Sequence, residues 1–586
     1  MYRGDNKDHI MNTKLLVGLG AVAIAVGAYV TTQSSSSSSI AMEQLEYVPA
    51  DTALFWGQLT PFEQQKYLSF MPKELRQIQD IEEITELLRK EDDKHLDFLA
   101  TLLEQYNLAL TSPEQMKAIL GMGDTIRSVF YTVGLLPSLR YEVADPEAFQ
   151  RTVKMAAKDA GITYQEDTLD GVALTRYKLE FAPEVNLELI TSVQGQWITT
   201  TFNTPVNTEA DLKVALGIAK PAQSLAQSGK LEQYTKQFGF DGASIAFLNH
   251  VAIIDSITAN KQSDLTRMLD NILQLGGGVD KLASVRVPEC QADYSAIANQ
   301  WPATVMGTKN IQFTNSTIDF EVDTVVVGKD TELMKALGSI RGFIPAHVTN
   351  GEEKVLGFGY GVDVAKVAPL VNTLWGRFTK AEFSCSELVA LQQQAKQNSP
   401  MAIAMMTGMA NSVKGVSASV FDLVMDQNDH GMPEPKTVDA LVTLSAEDPL
   451  VLVNTVKGLA PMLGQIQIPE DGSPVSINQY IPSPEPLEMD IKLAVKGDHL
   501  VLFTGEKATV IAEKMANQAL ETNGMTHFSM DMQAFLAPML ETMKAAGQPV
   551  PESFDALLQQ NMVFEFSMDV AEHGLVFGTD MKLKKL

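Results

Sequence analysis

Little in this chain advertises chemistry, and each absence narrows the reading. Only two cysteines, Cys290 and Cys385, occur in 586 residues. No C-x-x-C spacing is present, which removes a thioredoxin-like or zinc-ribbon role. The chain has no G-x-S-x-G, no H-E-x-x-H, no Walker loop and no G-x-G-x-x-G. The common signatures of a nucleophile elbow, a zinc protease and a nucleotide cradle are therefore missing. The eight histidines are scattered, none within four residues of another. They form no helical ligand pair, and His499, aligned with Trp197, belongs on a strand rather than at a metal. Basic residues are scarce: 45 Lys and Arg stand against 72 Asp and Glu, a formal net charge of −27. That balance excludes nucleic acid as a partner and argues against electrostatic docking on anionic lipid.

Long apolar runs are also rare, with one exception. Leu15 to Val30 is sixteen uncharged residues. As a helix it would extend roughly 24 Å at about 1.5 Å per residue, somewhat less than a hydrocarbon core of about 30 Å. Arg3, Lys7 and Lys14 precede it, and no basic residue follows until Lys66. This asymmetry predicts a cytoplasmic N-terminus over 1–14, a membrane segment over 15–31 and a Ser-rich tether over 32–43. The segment is either an uncleaved anchor or a signal peptide cleaved near Val26-Gly27-Ala28. Met11 is an alternative start. No cysteine follows the run closely, so lipid modification at that point is excluded. The expected location is the bacterial inner membrane with the bulk of the chain in the periplasm, or the periplasm itself after cleavage. In an oxidising compartment Cys290 and Cys385 are candidates for a disulfide. Two buried free thiols are the alternative.

What the chain does contain is a copy of part of itself. Asp145-Pro146 opens a stretch ending at Gly161, and Asp448-Pro449 opens one of equal length ending at Gly464. They share Thr152/Thr455, Val153/Val456, Lys154/Lys457 and Ala157/Ala460, and the register holds to Val172/Val475 and Tyr177/Tyr480. Ser112-Pro113 and Ser399-Pro400 form a second matched block. Asp or Ser before Pro is a helix N-cap with Pro at the first helical position, and Gly161 and Gly464 are left-handed helix ends. Leu187 to Phe202 and Met489 to Phe503 predict hairpins around Gly195 and Gly497. Alternation through Ile318, Phe320 and Val322, and through Phe564, Phe566, Met568 and Val570, predicts late strands with one wet face.

The matched order predicts an α+β fold of two tandem repeats, 44–335 and 336–586. Each would be an antiparallel sheet with helices packed on one face, placed after an N-terminal membrane helix. The shared residues Asp145, Pro146, Gly161, Asp448, Pro449 and Gly464 are structural. No catalytic, cofactor-binding or metal-binding residue is expected, and no cofactor. Gly357-Phe358-Gly359-Tyr360-Gly361 has the wrong spacing for a nucleotide loop. Asp426, Asn428, Asp429 and Gly431 resemble a calcium loop that lacks its final Glu, with Thr437 in its place. Met401, Met405, Met406 and Met409 cluster on one helix, and Met525, Met530, Met532, Met539 and Met543 in another region. They suit a core first, an apolar binding groove second and copper last.

The Val48-Pro49-Ala50-Asp51-Thr52 opening, the Asp-Pro helix starts and the x-Gly-x hairpins resemble a domain-of-unknown-function family of bacterial envelope proteins with one N-terminal membrane segment. The resemblance runs from Gln44 onward and assigns no residue a role. The expected function is a non-catalytic periplasmic binding or scaffold protein. It would hold an apolar or peptide ligand in a cleft between the repeats, or engage an envelope protein, and would contact the inner membrane through its N-terminal segment. A periplasmic hydrolase with its site in the unmatched insertions is an alternative, as is an assembly or quality-control factor for envelope proteins.

Overall fold

The computed structural model describes residues 42–585 apart from 71–75, 79–80, 183–184, 276–281, 351–353, 399, 409, 428–431, 460–464, 481–488, 551–557 and 559. The expected membrane segment and most of the tether lie outside the described residues. Among the described residues, no helix is long and apolar enough to cross a membrane. The chain divides into two compact units between Val322 and Asp323.

Unit 1 contributes strands β1 (Leu54–Phe62), β2 (Ile126–Val133), β3 (Leu136–Glu142), β4 (Tyr164–Leu169), β5 (Val172–Ala182), β6 (Val185–Gln194), β7 (Trp197–Asn203), β8 (Ser244–Asn249) and β9 (Ala303–Phe313). They pair antiparallel in the order β4-β5-β6-β7-β3-β2-β1-β8, and β9 follows on β8. Strand β10 (Thr317–Val327) spans the division between the units. Unit 2 carries β11 (Leu356–Gly361), β12 (Val413–Gln427), β13 (Pro433–Ala446), β14 (Val475–Ser476), β15 (Lys492–Lys496), β16 (His499–Thr504), β17 (Thr526–Asp531), β18 (Gln560–Ala571) and β19 (Gly574–Lys585). Their antiparallel order is β19-β18-β17-β11-β12-β13-β16-β15-β14.

Two features of the expected fold are corrected. The expectation was a separate sheet for each half of the chain. Strand β10 instead pairs with both β9 and β19, so the nineteen strands belong to one sheet. The physical reason is the unpaired N–H and C=O row that any edge strand presents; a further strand satisfies it through the main chain alone. Helices on a single face were also expected, whereas they cover both. In β6, Leu189 packs with Phe98, Val153 and Ala157, while its neighbour Ile190 packs with Leu212 and Leu216. Successive strand residues point to opposite faces, so these helices lie on opposite sides of the sheet. In unit 2, Leu441 and Leu444 of β13 likewise sit in different clusters with different helices.

One face of the unit 1 sheet meets helices α1 (Gln64–Phe70), α2 (Lys94–Ala109), α3 (Pro113–Leu120) and α4 (Pro146–Asp159). The ends of α4 follow from local sequence. Asp145 caps it, accepting from the amides of Glu147 and Ala148 at 3.0 and 3.2 Å, and Pro146 occupies the first turn. Beyond the helix, Gly161 sits at φ 68°. Its N–H donates to the Lys158 carbonyl, and that of Ile162 donates to Ala157 at 2.8 Å. This is the doubly bonded left-handed stop, with Ala157 and Ile162 sharing one core cluster. Asp448 accepts from the Val451 amide at 3.1 Å, and Pro449 opens the helix Pro449–Leu459; Gly464 lies outside the described residues. The hairpins turn at Gly195 and Gly497, both at positive φ.

Gly121, which ends α3, is under tighter constraint than Gly161. Its φ is 72°, and a Cβ there would meet the Asp145 carbonyl oxygen at 2.0 Å, whereas nothing lies within 4 Å of a Cβ at Gly161. Gly161→Ala should therefore cost only the left-handed penalty, about 1–2 kcal/mol. Gly121→Ala should cost about 3 kcal/mol or more, because a backbone clash adds to that penalty. Urea unfolding of the two variants checks the ordering; equal costs would contradict it.

Candidate functional site

Between the sheet of unit 1 and its covering helices lies a cavity of about 180 Å³. It arises from the strand registers. Gln58 of β1 stands opposite Ser128 of β2, Ser128 opposite Tyr141 of β3, and Tyr141 opposite Ile198 of β7. Directly opposed residues share a face, so these four form one row across the sheet. The next row on that face includes Leu139, Thr200 and Thr191. Helix α2 roofs the cavity with Leu99, Leu102, Leu103, Gln105 and Tyr106, α3 with Met116 and Leu120, and α4 with Phe149, Thr152 and Val153. Phe62, Gln64, Met122, Ile126 and Leu189 complete the wall, and among the described residues no Asp, Glu, Lys, Arg or His lines it. Leu102 and Gln105 are only half-buried, so that edge of the roof lies nearest the surface.

Four polar atoms of the lining side chains are buried without a hydrogen-bond partner among the described residues. Gln64 Oε1 is one of them. The other three, Gln58 Oε1, Ser128 Oγ and the Tyr141 hydroxyl, belong to the single row across β1, β2 and β3. Gln58 is 2 % exposed, Ser128 1 % and Tyr141 4 %. The Gln58 amide has a fixed orientation. Its Nε2 donates to the Thr60 carbonyl at 2.8 Å, and a carbonyl only accepts, so the oxygen is the end left over. The Tyr141 ring meets Phe149 edge-on at 5.8 Å. Burial pushes the Tyr141 phenol well above its ordinary pKa, so it is a neutral hydroxyl at every physiological pH. Unpaired buried polar atoms are rare because each costs about 1–3 kcal/mol. Three of the four stand in adjacent strands and border one apolar space.

No family model, curated protein or solved structure matches this chain.

Most residues singled out from sequence are placed elsewhere. Cys290 and Cys385 are fully buried and disulfide-bonded, and no free cysteine remains. The bond closes a loop of about 95 residues, worth up to about 4–5 kcal/mol in the chain-entropy model. The glycine-rich stretch 357–361 is strand β11. A Cβ at Gly359 would meet Ile344 Cγ2 at 2.4 Å, so that glycine permits close packing. Met401 and Met405 are 68 % and 72 % exposed, which places them outside the core expected for them. The side chain of Met406 and all of Met409 lie outside the described residues, as do Asn428, Asp429 and Gly431 of the calcium-like loop. Asp426 pairs with Lys436 at 2.8 Å.

His499 begins β16, as a strand residue. Its Nδ1 bonds Ser445 Oγ at 2.9 Å and its Nε2 the Gln518 carbonyl at 2.9 Å. His347 bonds Ser419 Oγ at 2.8 Å and approaches Ser417 and Thr443 at 3.3 Å each. These contacts pin unit 2's sheet to its covering segments, since His347, Ser419, Ser417, Thr443, Ser445 and His499 are all within 2 % of full burial. Of the cavity residues, only Thr152 and Val153 were singled out from sequence, and those as repeat positions rather than as a site. Gln58 and Ser128 are polar residues inside largely apolar strands, a weak signal until the registers bring them into one row.

The two kinds of buried hydroxyl should respond differently to deletion. Because the Tyr141 and Ser128 hydroxyls have no partner, Tyr141→Phe and Ser128→Ala should leave stability within about 0.5 kcal/mol of the parent or raise it, whereas Ser445→Ala should cost about 1–3 kcal/mol by stranding a His499 nitrogen. Chemical unfolding decides between them. Burial lowers the His347 pKa from 6.5 to about 3. The unfolded chain thus binds the extra proton first, and stability is lost as pH falls from about 6.5 towards 3, by at most about 1.4 kcal/mol per unit. A His347→Gln variant should show a shallower slope in that window; an unchanged slope would assign the effect to other groups.

Proposed function

We propose that this is a non-catalytic binding protein of the bacterial cell envelope that holds a small apolar ligand in the cavity of its first unit. The observation that carries the reading is the wall of that cavity, which is apolar except for a few buried, unpaired polar atoms. Ligand sites have this composition: apolar surface supplies affinity and a few polar groups fix orientation. About 180 Å³ is comparable to engineered apolar cavities near 150 Å³ that bind benzene. The ligand is thus of that order, or the apolar end of a longer molecule entering beside Gln105.

The envelope location is supported by the disulfide, since such bonds persist in oxidising compartments. The uncharged run from Leu15 to Val30, with basic residues only on its N-terminal side, supports an inner-membrane attachment with the bulk outside.

Thermal unfolding with toluene tests the reading. At free toluene ten times its Kd, unit 1 should gain about 1.4 kcal/mol. Leu103→Trp and Met116→Trp, which place an indole in the cavity, should abolish the gain. Equal stabilisation of parent and both variants would place binding elsewhere, and no stabilisation of the parent would remove the cavity as a ligand site.

A further inference from the structure

The unpaired atoms specify more than an apolar guest. We infer that the cavity selects an uncharged ligand whose apolar body ends in a hydrogen-bond donor, such as a hydroxyl, seated against the row Gln58–Ser128–Tyr141. The inference rests on the cavity being a ligand site.

Charge is decided by the wall. An ion carried into it would lose its hydration and find no opposite charge, because among the described residues no ionisable side chain other than tyrosine lines the space. An unpaired ion in such surroundings is prohibitive. A carboxylate, phosphate or ammonium head is therefore excluded from the floor of the cavity, though not from a longer molecule's outer end.

The donor is decided by Gln58. Its Nε2 is committed to Thr60, and its Oε1 is buried without a partner. A buried acceptor is satisfied only by a donor, and a pure hydrocarbon brings none. Ser128 and Tyr141 stand beside it in register, and each hydroxyl can rotate to donate or accept. A ligand hydroxyl placed here donates to Gln58 Oε1 and accepts from Ser128 or Tyr141. Gln64, 3 % exposed, adds a second carbonyl oxygen without a partner to the lining of the same space. The apolar body then packs against Phe62, Leu103, Met116 and Phe149, with the unbranched Met116 side chain adapting to its shape.

The test compares three probes of matched size on the full-length protein: p-cresol, toluene and benzoate at pH 8, by calorimetry or ligand-observed NMR. The expected result is p-cresol binding about tenfold tighter than toluene, the fold-change of one net hydrogen bond, with benzoate not detected. Tyr141→Phe and Gln58→Leu should each shrink the cresol preference severalfold while leaving toluene affinity within about twofold. Two substitutions are used because Gln58→Leu alone could disturb the strand, and retained toluene binding shows that it has not. Toluene binding as tightly as p-cresol would overturn the donor inference and leave the cavity reading standing. Benzoate binding best would overturn the exclusion of charge. If no probe binds, the cavity reading fails and this inference with it.

Discussion

Leu189 and Ile190 are neighbours in one strand, and they face different layers of helix. That alternation is the constraint to which the rest of the fold answers. A sheet residue has no choice of side once the register is set, and a slip of one position would turn every apolar side chain to the wrong layer. With helices on both faces, both sets of side chains must be matched at once. The register that satisfies them in unit 1 also sets Gln58, Ser128 and Tyr141 in a row beneath the helices. The cavity is thus a consequence of the same pairing that builds the core.

The buried polar groups of β1–β3 and of β12–β13 are treated differently. In unit 1 the row under α2, α3 and α4 is left without partners. In unit 2 the serines and threonine of β12 and β13 that lie beneath the covering segments are satisfied by His347 and His499. Buried polar groups are normally paired because the low surrounding dielectric makes an orphan expensive. The Ser–His contacts of unit 2 meet that expectation with protein groups alone. The row in unit 1 departs from it where there is also space for a guest, and it is this coincidence of orphaned atoms with open volume that points to a ligand.

Much of the local structure was legible in the sequence. Asp145-Pro146, Gly161 and Gly195 specify their cap and turns through side chains and dihedral needs that are local, and the structure shows those elements there. The larger arrangement was not legible. That β10 pairs with both β9 and β19 is a main-chain event, which leaves no mark on residue identity. Helices on both faces were hinted at by the adjacent apolar pair Leu189–Ile190, which breaks the alternation expected of a half-wet strand, but a hairpin signal dominated that region. The cavity row was hidden because Gln58 lies far along the chain from Ser128 and Tyr141, so their meeting depends on pairing rather than spacing. The exposed Met401 and Met405 show the limit from the other side, since composition alone suited them to a core.

If the space beneath α2, α3 and α4 is kept for a ligand, protein taken from its own cells should still carry one. A high-resolution crystal structure of the full-length protein, purified without extraction by solvent, is the decisive measurement. Continuous non-water density is expected in the cavity, with one atom within hydrogen-bonding distance of Gln58 Oε1. Ordered waters bridging Gln58, Ser128 and Tyr141, or side chains collapsed into the space, would refute the idea.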